Sequence, residues 1–180
     1  MATAMLLGSA AMAQAVSITL TDNLTTKGDT LEYAFSALPL SDGGPGTLTI
    51  ATNGDGPVPG IDLDGTLEYF DVFFDSSTSL GRYECSTAND GGTLIPGASG
   101  GIDCQFSFDI TISAGGLATA LADGSALVRL VMGPQVNDFG EGDGIDVTLS
   151  YDEIAAVPLP ASAWLLLAGL GAIALRRRQG

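Results

Sequence analysis

Ile145-Asp146-Val147-Thr148-Leu149-Ser150-Tyr151 alternates apolar and polar side chains without a break. Successive side chains of an extended chain point to opposite faces. The period of two therefore puts Ile145, Val147, Leu149 and Tyr151 on one face and the polar residues on the other. A helix would scatter the same residues around its axis and bury nothing cleanly. The stretch reads as a strand with one face in a core and one in water.

Working outward, the same alternation recurs at Val16–Thr21, Leu31–Phe35, Thr47–Ile50 and Phe106–Ile112. Tyr69–Phe74 and Ala126–Met132 are denser in apolar residues and predict central strands buried on both faces. Turn-forming clusters separate the runs: Asp42–Gly46, Asn53–Pro57, Asn89–Gly92 and Glu141–Gly144. Leu117–Ala122 predicts a helical turn or two. About eight short strands with frequent turns fit an all-β fold, an antiparallel β-sandwich that is jelly-roll-like. Residues 16–156 form this domain, large enough for one core and too small for two.

Its charge is lopsided. All 21 carboxylates of the chain fall within residues 16–156. The only cations there are Lys27, Arg82 and Arg129, so the domain carries −18, and the whole chain carries −15. Such a field repels nucleic acid. The chain has no histidine, which excludes Ser–His–Asp and Cys–His catalysis. No glycine-rich phosphate loop ending in Lys-Ser or Lys-Thr occurs. The only tryptophan, Trp164, lies outside the domain, so no aromatic platform marks a glycan-cleaving groove. The reading is a non-enzymatic protein. Cys85 and Cys104 are the only cysteines. In an exported chain they predict a disulfide that closes a loop of about twenty residues and contributes roughly 3 kcal/mol.

The C-terminus supplies the export argument. Val157-Pro158-Leu159-Pro160-Ala161 precedes an uncharged apolar run to Leu175, and Arg176-Arg177-Arg178 follows. As a short C-terminal hydrophobic helix, Ala161–Leu175 would rise roughly 22 Å against a hydrocarbon core of about 30 Å. That is a marginal transmembrane segment, with the arginines as a cytoplasmic stop and everything before residue 157 outside. Residues 157–180 resemble the PEP-CTERM class of bacterial sorting tails in its VPLPA-CTERM variant, with Leu159 where many members have Glu. The resemblance implies recognition and cleavage by an exosortase-type membrane transpeptidase, and transient residence in the inner membrane. It also implies final delivery to the cell surface or outside the cell, in association with extracellular polysaccharide or biofilm. The other end agrees. Met5–Met12 is apolar, and Ala11-Met12-Ala13 and Ala13-Gln14-Ala15 both fit the small-x-small pattern of signal peptidase. Residues 1–15 are read as a signal peptide whose missing basic start predicts a truncated N-terminus.

One stretch suggests ligand chemistry. Residues 55–75 hold Asp55, Asp62, Asp64, Glu68, Asp71 and Asp75 among glycines. Hard oxygen donors on pliant loops suit calcium. The stretch is similar to one in exported β-sandwich proteins with such tails, and that similarity nominates Asp62, Asp64, Glu68 and Asp71 as Ca2+ ligands. It is not an EF-hand, since Thr66 stands at the fifth loop position. A second acidic run, Asn137, Asp138, Glu141, Asp143 and Asp146, reads as a hairpin connection between Val131 and Val147, with a calcium loop as the other reading. Two functional classes follow. One is an exported, non-catalytic surface or matrix protein. The other is a calcium-dependent, lectin-like carbohydrate-binding module.

Overall fold

The computed structural model describes residues 14–52, 61, 63, 67–75, 78–85, 93–96, 102–136 and 144–154. The strands are β1 (Ala15–Asn23), β2 (Thr30–Ser36), β3 (Gly46–Thr52), β4 (Phe70–Phe74), β5 (Thr78–Tyr83), β6 (Thr93–Pro96), β7 (Ile102–Gln105), β8 (Ser107–Ile112), β9 (Ser125–Met132) and β10 (Gly144–Asp152). One helix, α1 (Ala114–Ala120), runs into a 3-10 turn at Leu121–Asp123. Of the expected leader, residues 1–13 lie outside the described residues, while Gln14 is described and Ala15 opens β1; the expected C-terminal helix lies outside the described residues.

Two four-stranded antiparallel sheets face each other, with orders β1-β10-β3-β8 and β2-β9-β4-β5. The pairs β1–β10, β2–β9, β3–β8 and β4–β5 nest like rungs of one long folded ribbon with its tip at the β4–β5 turn. Wrapping that ribbon brings β10 onto β3 and β9 onto β4. This is the jelly-roll solution to a sheet's exposed edges. The expected all-β sandwich is what forms.

The decisive stretch sits in β10, between β1 and β3, with Ile145, Val147 and Leu149 fully buried. A one-residue slip would send all of them to water, so the register is fixed by the core. From the opposite sheet, Tyr33 in β2 reaches across and donates its hydroxyl to the Ile145 carbonyl at 3.0 Å. Burial, with Asp22 and Asp146 nearby, holds that phenol in its protonated, donating form.

Two expectations need correction. β4 and β9 are not buried on both faces. Asp71 and Phe73, and likewise Leu127, Arg129 and Val131, are only half-buried on the outer side. That outer side is partly shielded and partly in contact with solvent. The run at 137–146 is not a hairpin. β9 and β10 belong to different sheets, so this link crosses the sandwich. The Phe106–Ile112 run forms the expected strand as β8, one residue shorter, because Phe106 lies in the break between β7 and β8.

The helix follows its local code. Ser113 caps it, accepting from the Gly116 amide at 3.2 Å, and Leu117 is fully buried. Gly124 ends the turn at φ 76°, a left-handed position that favours glycine. Gly133 is needed for another reason. A Cβ there would stand 2.4 Å from the Leu67 carbonyl oxygen, so only glycine lets the two backbones pass.

Candidate functional site

The registers give the sandwich two distinct ends. β1 ends, β2 begins, β3 ends and β4 begins at one end, together with the last residues of β5 and β9 and the first of β8 and β10. The long Gly- and Asp-rich connections attach there. Both described chain ends sit at the other.

At the loop end, Cys85 and Cys104 form the expected disulfide, with Cα atoms 5.9 Å apart. The chain is also tied there by its backbone. Ile61 and Cys104 exchange both N–H···O bonds, at 3.0 and 2.7 Å, and the Cys85 amide donates to Leu63 at 3.3 Å. Ile61 and Leu63 are buried, so the segment carrying the nominated aspartates is pinned to the cystine from both sides. Beneath it Phe70, Tyr83, Phe106 and Phe108 pack ring on ring, with Tyr83 and Phe108 stacked at 4.4 Å. The cavity among these rings and the cystine is about 10 Å³, room for about one water and no organic ligand.

The nominated calcium ligands divide. Asp62 and Asp64 lie outside the described residues. Glu68 is half-buried just ahead of β4. Asp71 is on the outer face of β4, where both of its oxygens accept from Arg82 Nε and Nη2 at 2.8 Å. The Arg82 guanidinium also lies 3.5 Å over the Tyr69 ring. A carboxylate already held in this bidentate fashion would have to leave its guanidinium to bind a cation. Among the described residues no group of three His, Cys, Asp or Glu is arranged to hold a metal ion. Of the second acidic run, Asn137, Asp138, Glu141 and Asp143 lie outside the described residues. Asp146 accepts the Thr21 hydroxyl on the outer sheet face.

At the opposite end the two chain ends meet. Ala15 pairs with Asp152, and the Glu153 amide donates to the Gln14 carbonyl at 3.0 Å. A strap from the β2–β3 connection closes the other side. Ser41 bridges Glu153, the Asp42 amide donates to Asp152 at 2.9 Å, and the Ile154 amide donates to Leu40 at 3.0 Å. The Tyr151 hydroxyl fixes the strap by donating to Pro39 at 2.8 Å.

The segment that follows, with Val157–Ala161 and Arg176–Arg178, lies outside the described residues. Its sequence is decisive. Residues 156–179 match the PEP-CTERM protein-sorting motif. No curated protein and no solved structure matches the chain. The PEP-CTERM motif supports an exported protein whose membrane-anchored precursor is processed by an exosortase, a membrane transpeptidase. Among the described residues no helix is long and apolar enough to cross a membrane.

Two features escaped the sequence reading. Ile61 and Leu63 are core residues set in a loop-like, glycine-rich context. Their signal was the apolar-Asp-apolar alternation within the acidic run. The Leu40–Asp42 strap gave no signal, since a single bridge leaves no period.

Proposed function

We propose that this chain is an exported, non-catalytic surface or extracellular-matrix protein. Its disulfide-linked jelly roll is the cargo, and its VPLPA-type PEP-CTERM tail is the removable sorting handle. The reading extends to association with extracellular polysaccharide or biofilm. The observation that carries it is the motif match at residues 156–179, which starts within two residues of the strap contact at Ile154. Supporting it, a cystine suits an oxidising compartment. A domain of charge −18 suits an extracellular space where solubility is needed.

The test is expression of the full chain in a Gram-negative host with and without an exosortase-type enzyme. Without the enzyme, full-length protein should stay in the membrane fraction. With it, a product shortened near Pro158–Pro160 should appear in the surface or medium fraction. Pro158→Ala with Pro160→Ala should abolish the shortening. An identical length and location in both hosts would overturn the reading.

A further inference from the structure

Three of the large hydrophobic side chains among the described residues are exposed: Leu40 at 54%, Ile154 at 56% and Leu67 at 48%. Two of them meet. Ser41 pairs with Glu153 in antiparallel fashion, which sets Leu40 directly opposite Ile154. Directly opposed residues on an antiparallel ribbon project to the same side, with Cβ atoms about 5 Å apart. Asp42 and Asp152, two residues along each strand, project to that side too. The result is an apolar pair beside two carboxylates. A shallow groove of about 340 Å³ runs alongside it, lined by Ala15, Ser17, Pro45, Thr47, Ser150 and Asp152.

This patch lies where the sorting tail leaves the domain. Only Ala155 and Ala156 separate Ile154 from Val157. Three extended residue steps span at most about 10 Å. An enzyme that grips the chain at Val157–Ala161 therefore comes within reach of Leu40 and Ile154 whenever the sandwich is folded. Both termini of the sandwich leave from this end, since Gln14 is bonded to Glu153. Leader and tail can therefore be membrane-held together without unravelling β1 or β10.

We infer that the Leu40–Ile154 patch is a docking surface for the membrane sorting enzyme, which grips the folded domain as well as the tail. This rests on the proposed sorting of the chain by such an enzyme. The chemistry specifies the partner face: an apolar contact flanked by cationic or hydrogen-bond-donating groups that meet Asp42 and Asp152. An anionic lipid surface is the wrong match, because those carboxylates and the domain's charge of −18 repel it.

The experiment is a pulse-chase of the full chain in the enzyme-bearing host, reading the rate at which precursor becomes shortened product. Leu40→Asp with Ile154→Asp should slow processing at least fivefold, while Leu67→Asp leaves it unchanged. If the paired Asp variant melts lower than the parent, Leu40→Ser with Ile154→Ser takes its place. Wild-type processing rates in a folded patch variant would overturn the docking surface, as would equal slowing by Leu67→Asp. A processed product that floats with protein-free phosphatidylglycerol vesicles through Leu40 would overturn it in favour of a lipid contact. A parent chain that is never shortened would overturn the sorting reading itself, and this proposal with it. Shortening of the parent, with the patch variants processed at the parent's rate, marks failure of the docking surface alone.

Discussion

The two ends of the sandwich are closed by different means. At the tail end backbone hydrogen bonds join the chain ends and the β2–β3 strap, Gln14 with Glu153, Leu40 with Ile154 and Asp42 with Asp152, and the buried aliphatics Leu38, Leu117 and Leu121 lie in the connections there. At the loop end the connections after β3 and β5 are long and rich in glycine. A cystine, four packed rings and two buried aliphatics seal that end. The difference teaches where sequence is free to vary. A strap held by backbone bonds constrains few of its own side chains. An end closed by a cystine and packed rings depends on each of them.

The largest effect is expected at the aromatic cluster. Phe70 is 1% exposed and touches Tyr83, Phe106 and Phe108. Phe70→Ala should cost about 4 kcal/mol through lost burial and a residual cavity. Thermal unfolding followed by circular dichroism should show a melting temperature lower by about 10 °C. A change of only a degree or two would mean that the loop end does not depend on its rings.

Next comes the cystine. Cys85→Ser with Cys104→Ser releases a loop with ends 19 residues apart and should cost about 3 kcal/mol. Amide exchange sharpens the comparison. The Ile61, Cys85 and Cys104 amides should lose protection, because their mutual bonds hang on the bridge. The Glu153 and Ile154 amides should keep theirs. Uniform loss at both ends would show that the ends are not independently closed.

A smaller change is Tyr33→Phe. It removes the hydroxyl that bonds Ile145 across the core, near the loop end of β10. The expected cost is about 1 kcal/mol, a little more if the Ile145 carbonyl is left dry. Amide exchange should quicken more at the loop end than at the Glu153 and Ile154 amides of the other end.

How much of this could be read from the chain alone follows from the same physics. β10, β1, β2 and β3 were legible because one wet face and one dry face impose a strict period of two. β5 was not. Leu80 is skipped between the pairs Val72–Gly81 and Phe73–Ser79, and Gly81 takes φ 127°, so the bulge destroys the period. The sheet to which a strand belongs was hidden too. Inward-facing residues look alike from either side of a shared core, and so the β9–β10 crossing read as a hairpin. The disulfide was legible because two cysteines allow one pairing. The calcium set leaned on residue type alone. Residue type did not reveal that Arg82 takes both oxygens of Asp71. At the tail end, the sorting signal was legible as sequence because an enzyme reads it as sequence. The Leu40–Ile154 patch was not, because only the fold brings those two residues together.

The smallest effect compares the ends through acid. Asp29 lies at the loop end, where the Thr30 amide and then the Thr25 hydroxyl hold its carboxyl below the usual range. Asp123 lies at the tail end, held down by the Ser125 hydroxyl and then its amide. A carboxyl whose folded value is depressed stabilises the fold at every pH above its unfolded value. That stability drains away as the pH falls through the folded value. Asp29→Asn and Asp123→Asn should therefore melt slightly lower than the parent at pH 6. Both gaps should begin to close near the ordinary carboxyl value of 3.8 and vanish below it. Comparing each variant with the parent at the same pH removes the repulsion common to all chains with so many carboxylates. Gaps that widen on acidification would reverse the assignment of these carboxyls. A gap for Asp123→Asn with none for Asp29→Asn would mean that the loop end has already opened before the sheets melt. Parallel closure would show that two ends sealed by different chemistry still unfold as one unit.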